Sequence, residues 1–133
     1  MALKLEGLCP SLEVFDLRAS VAFYRDVLGF EVVSQMPSGD DHGLLLLRQG
    51  EVELMLNTAF EADQRPPAPD PARVAAHRDT GLFFGSQDVD AVYAHLRAKG
   101  VEVEKLAVTS YGRKELYIRD PDGYVLCFQW RAR

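Results

Sequence analysis

The chain has 133 residues, which is the length of one domain or of two small halves sharing a core. Its hydrophobic content of 47% supports a real core, while apolar runs such as Leu44 to Leu47 are far too short to span a membrane. A formal charge of −5 with no basic cluster argues against nucleic acid, and two cysteines behind an N-terminus without a long apolar stretch are expected to be free thiols in a reducing cytoplasm.

In chain order, residues 8–15 alternate in polarity and are rich in β-formers, so they read as a strand. The following "DLRASVAFYRDVLGF" spaces Leu17, Val21, Tyr24 and Leu28 at offsets 0, 4, 7 and 11, one stripe of a helix. Asp16 stands where an N-cap is wanted and Gly29 where a left-handed C-terminal residue is wanted. "FEVVSQ", "GLLLLR" and "EVELMLN" then read as three short strands separated by turn residues.

Residues 58–79 hold four of the seven prolines and read as a linker, with room for a turn of helix around "ARVAAH". Beyond it the order repeats. "GLFFGS" is a strand, and "DVDAVYAHLRAKG" is a helix with Val89, Val92, Tyr93 and Leu96 on one stripe. "VEVEKL", "KELYIR" and "YVLCFQW" are three more strands. In "RDPDGY", Pro121 presets the second position of a type I turn and Gly123 the left-handed position after it, making a bulged hairpin. Aspartate, helix stripe, glycine and β-branched strand recur about 72 residues apart, from Asp16 to Asp88. This is an internal duplication of a βαβββ unit, with module one at 1–57 and module two at 80–133. The fold class expected is α+β.

Strand alternation predicts the face opposite the helices. Cys9, Ser11 and Glu13 share it on the first strand, as do Glu51, Glu53, Met55 and Asn57 on the fourth. In the second module Leu82 and Phe84, Glu115, Tyr117 and Arg119, and Val125, Cys127 and Gln129 are expected there. Apolar and aromatic walls with the carboxylates Glu13, Glu53 and Glu115 suit an amphipathic organic ligand, cationic ones included. Carboxylates buried together need a partner, so solvent reaches them, or Arg113, Lys114 or Arg119 pairs with some, or a cationic ligand does; a rim of solvated glutamates is the plainer alternative. No Ser-His-Asp grouping, phosphate loop or dinucleotide fingerprint is present. His42 in a turn, His77 in the linker and His95 on a helix read as surface residues.

Together, "SVAFYRDVLGFEVV" and "YGRKELYIRDPDGYVLCF" on a duplicated βαβββ frame resemble the vicinal oxygen chelate superfamily of glyoxalases, bleomycin-resistance proteins and extradiol dioxygenases. The resemblance implies a curved mixed sheet with helices on its convex side and a ligand cleft on the concave side. It also implies four metal-ligand positions. Counting back from Asp16 puts the first on Cys9, and the "xEL" pattern puts the second on Glu53. Counting back from Asp88 puts the third on Leu82, and the last strand puts the fourth on Cys127. Leucine cannot ligate a cation and both expected histidines are missing, so a metal-free cleft and no cofactor are expected. In bleomycin-resistance relatives an aromatic–glycine pair borders the cleft, and Tyr111-Gly112 matches it.

The expected function is a bleomycin-resistance-like protein, tied to antibiotic resistance, that holds a small organic ligand against Glu13, Glu53, Met55, Leu82, Phe84, Tyr111, Glu115, Tyr117 and Cys127. A symmetric homodimer is expected, with no nucleic-acid or membrane partner. The alternatives are a glyoxalase-like lyase or dioxygenase-like enzyme with a degenerate, thiolate-containing metal site, and a divergent member whose cleft holds no ligand.

Overall fold

A computed structural model describes residues 2–36, 43–61 and 63–132. His42 lies outside the described residues. The chain divides into two compact units, residues 1–67 and 68–133. Each is a four-stranded mixed sheet with a helix on one face, the α+β duplication that the repeat indicates.

The first unit runs β1 (Ser11–Val14), α1 (Leu17–Val21), β2 (Glu31–Met36), β3 (Leu44–Gln49) and β4 (Val52–Thr58), and its sheet order is β1-β4-β3-β2. β1 pairs parallel with β4, and the other pairs are antiparallel. The even and odd halves of the strand pattern separate as alternation requires. Leu12, Val14, Leu45, Leu47, Leu54 and Leu56 are buried on the helix side, and each such side chain contributes on the order of 1.5–3 kcal/mol by leaving water. Asp16 caps α1 by accepting from the Ala19 N–H at 3.2 Å.

After Val21 the helix widens into a π-helical stretch, Ala22–Val27. The Leu28 N–H reaches back five residues to the Phe23 carbonyl at 3.1 Å, and the Phe30 N–H reaches the Tyr24 carbonyl at 2.9 Å. The wider turn breaks the 3.6-residue stripe. Leu17, Val21 and Tyr24 are fully buried as the spacing predicts, but Leu28 is only half-buried and Phe30 takes the core place, edge-on to Tyr24.

The second unit opens with α2 (Pro71–Ala76), capped by Asp70 and continued by a single 3-10 turn, His77–Asp79. Then come β5 (Gly81–Gly85), α3 (Val89–Ala98), β6 (Lys105–Val108), β7 (Arg113–Arg119) and β8 (Val125–Arg131), in sheet order β5-β8-β7-β6. β5 pairs parallel with β8, the counterpart of β1 with β4. Asp88 caps α3 through the Ala91 N–H at 3.0 Å, the counterpart of Asp16. α3 packs on β7 and β8 over Leu116, Ile118 and Leu126, all fully buried.

The turn at 120–124 is more than a link between β7 and β8. The Gly123 N–H donates to the Asp120 carbonyl at 3.0 Å, and the Asp120 carboxylate accepts from the backbone of Asp122 and Tyr124, each at 2.9 Å. α2 docks against it. Arg73 lies 3.4 Å from the buried Asp122 carboxylate, and His77 Nδ1 sits 2.7 Å from the Asp122 carbonyl. The His77 ring stacks on Tyr124 at 3.9 Å. His77 is therefore a half-buried anchor of α2 and not the surface residue that its place in a proline-rich linker suggests.

Candidate functional site

On the side of β7 and β8 away from α3, period-2 alternation gathers Glu115, Tyr117 and Cys127. Tyr117 stands directly across from Cys127, and Glu115 from Gln129. Tyr117 Oη donates to Glu115 Oε1 at 3.0 Å, and Tyr111 Oη donates to Oε2 at 3.2 Å. Glu115 is only 7% exposed, whereas the Tyr111 ring that reaches it is 70% exposed, carried on a loop whose Gly112 has φ +81°.

The three basic side chains that could have paired with these carboxylates are engaged elsewhere. Arg113 donates to Gln129, and Arg119 lies 3.3 Å from Glu104. Lys114 points to the other face, where it holds Asp90 of α3 at 2.6 Å. Among the described residues, the partners of the Glu115 carboxylate are two neutral phenols. Burial pushes the Tyr117 hydroxyl well above its ordinary value, and acceptance by the neighbouring Glu115 pushes the same way. Burial likewise raises the Cys127 thiol; the Tyr117 hydrogen bond works against that rise and the Glu115 charge adds to it. A buried, protonated thiol is a poor nucleophile and a poor metal ligand.

The strand register corrects the placement of β5. Phe83 stands opposite Cys127, whereas Leu82 and Phe84 stand opposite Leu126 and Phe128. Leu82 and Phe84 therefore lie on the helix side, where Phe84 stacks on Phe128 at 5.4 Å. Phe83, 56% exposed, takes the open face and meets Tyr117 edge-on at 6.1 Å. The signal was available in the spacing. Cys9 lies seven residues before Asp16, and seven before Asp88 is Gly81, an odd-numbered position on the Phe83 face. A count of six lands on Leu82 and flips every side chain of the strand.

In the first unit, Glu53 is half-buried and held by Arg48, whose Nη2 and Nε approach Oε2 at 2.7 and 3.2 Å. Cys9 is half-buried, its thiol raised by burial first and by the Glu53 charge second. Met55 and Asn57 follow Glu53 on the same face, alongside Ser11 and the exposed Glu13.

A catalytic metal in this fold would require several donors at one point. Glu53 is already occupied by a guanidinium, Cys9 and Cys127 both hold their protons more tightly than usual, and the third position offers leucine by one count and glycine by the other. Among the described residues, no three His, Cys, Asp or Glu side chains are gathered closely enough to hold a metal ion. The donor set does not fit the group.

The family model "Glyoxalase/Bleomycin resistance protein/Dioxygenase superfamily" matches residues 10–128. The uncharacterized protein YaeR of Escherichia coli (strain K12) is 31% identical over 114 residues, 84% of each chain. TnmS3, an antibiotic binding protein from Streptomyces sp. CB03234, is 25% identical, covers 99% of both chains and superposes with a TM-score of 0.71. Lactoylglutathione lyase from Agrobacterium tumefaciens is 26% identical with a TM-score of 0.68, covering 94% of this chain and 93% of its own. With the βαβββ duplication and the "DPDGY" hairpin in place, the chain belongs to the glyoxalase/bleomycin resistance protein/dioxygenase superfamily.

Proposed function

We propose that the protein binds a small amphipathic organic molecule on the open face of the second sheet, without a resident metal, as a bleomycin-resistance-like binder. The observation that carries this reading is the pair Tyr111 and Tyr117 on the enclosed Glu115 carboxylate, with Phe83 edge-on to Tyr117 and Cys127 across from it. Exposed aromatic rings supply apolar contact, and a few polar atoms fix orientation. The likeness to TnmS3 supports a binding role, since that protein is described as binding an antibiotic. The open face of the first unit, with Glu13, Glu53 and Met55, belongs to the same proposal, as do the homodimer and the cytoplasmic location expected from the sequence.

Elemental analysis of tag-free protein tests the reading. Less than a tenth of an equivalent of any transition metal, with none taken up on addition, is the expected result (about one bound ion per chain would mark a true site). Near-stoichiometric metal that is lost on Glu53→Ala or Cys127→Ala would overturn it. That outcome would favour the second reading, a glyoxalase-like lyase, whose support is the 26% identity to the Agrobacterium enzyme.

A further inference from the structure

We infer that Glu115 is the recognition group for an organic cation carrying N–H donors, such as an amidinium, a guanidinium or a protonated amine, attached to an aromatic or apolar body. The inference rests on the binding reading above and narrows it to a ligand class. An ionised carboxylate has about four acceptor positions, two on each oxygen. Tyr117 takes one position on Oε1 and Tyr111 takes one on Oε2, so each oxygen keeps one acceptor position. Two parallel N–H donors match that arrangement, the geometry in which a planar fork meets a carboxylate.

Charge points the same way. Glu115 is buried to all but 7% of its surface, and among the described residues no cation pairs with it. A carboxylate held out of water by neutral donors alone is left with an uncompensated charge, which an incoming cation removes. The exposed Tyr111 ring on Glu115 offers a face to the cation, and the exposed Phe83 ring, edge-on to Tyr117, offers one to an attached ring. Tyr111, on its exposed loop, can give up its hydrogen bond and swing aside, whereas Tyr117 is fixed between Glu115, Phe83 and Cys127.

Three probes of one shape separate the contributions: benzamidine, neutral benzamide, and phenyltrimethylammonium, which has the charge but no N–H. Binding is followed by two-dimensional NMR of the full-length protein, with the amides of residues 81–85 and 111–129 as reporters. Benzamidine is expected to bind about tenfold or more tightly than either of the others, the value of a charge-assisted hydrogen bond. Glu115→Gln should reduce benzamidine to the level of benzamide. The amides outside residues 81–85 and 111–129 should keep their wild-type positions in Glu115→Gln, which guards against a misfolded variant. Equal binding of benzamide and benzamidine at these amides would overturn the cation inference and leave the binding reading standing. Tighter binding of phenyltrimethylammonium than of benzamidine would overturn the requirement for N–H donors. Failure of all three probes to move these amides would overturn both readings.

Discussion

Gly123 has two separate reasons to be glycine. Its φ is +85°, and a β-carbon there would stand 2.8 Å from the Val74 carbonyl oxygen of α2. Gly100 has only the first reason, with φ +77° and open space around it. Gly100→Ala is therefore expected to cost about 1 kcal/mol, the ordinary cost of a side chain in the left-handed region. Gly123→Ala should cost on the order of 2–3 kcal/mol, because the clash must also push α2 off the turn. Urea unfolding of the two variants measures the difference, and equal losses would mean that α2 does not bear on the turn. The thiol and phenol of the second sheet predict a pH effect. An unfolded cysteine has an ordinary value of 9.0 and an unfolded tyrosine one of 10.0, and the folded Cys127 and Tyr117 lie above those values. As pH rises the unfolded chain loses these protons first, so the stabilisation is complete below pH 9, declines above it, and levels off only once the folded groups ionise. Melting temperature should fall from about pH 9 upward, and Cys127→Ala should flatten the fall even if it lowers the plateau. Most of this chemistry was legible in the chain. Glu115, Tyr117 and Cys127 follow from period-2 alternation through "KELYIR" and "YVLCF". Phe83 was missed because a period of two forgives no counting error.

Among elements, the paired aspartate caps carry the duplication most plainly. Asp16 and Asp88 each accept from the N–H three residues on, and both helices begin at the next residue. Asp88→Ala is expected to cost about 1 kcal/mol and Asp88→Asn much less, since asparagine caps nearly as well. Thermal unfolding checks the pair, and equal losses for Ala and Asn would point to charge as the source instead of the cap. Two elements were not legible in the same way. The stripe in α1 runs at 3.6 residues per turn on paper, but the π-helical stretch lets Phe30 displace Leu28 from the core, and backbone hydrogen bonding of that kind leaves no mark on polarity. "VEVEKL" alternates like a strand, and Val101 and Val103 are indeed half-buried, yet the ladder is Lys105–Val108. The first pairing contact with β7 comes only at the Glu104 N–H, 2.9 Å from the Tyr117 carbonyl. Alternation reports which side is buried, and a strand also needs a neighbour to bond.

At the scale of the whole molecule, two sheets of like order, each with a parallel β1-β4 or β5-β8 pair, account for the family membership. The fold was readable because the repeat, the caps and the hairpin agree with one another. The site was less so, since one fold hosts binders and enzymes alike and only the residues at a few positions differ. At those positions here Glu53 is engaged by Arg48, and burial raises the thiols of Cys9 and Cys127. The homodimer is a further expectation, and sedimentation equilibrium should return twice the 14.9 kDa chain mass at micromolar concentration. A mass of 14.9 kDa would contradict that expectation. The most direct test of the central claim is an NMR screen of protein dialysed against EDTA with a mixed set of small aromatic molecules. Binders are expected to move the amides around Phe83, Tyr111, Glu115, Tyr117 and Cys127, and adding zinc is expected to change nothing. Shifts confined to other surfaces, or binding that returns only with metal, would contradict it.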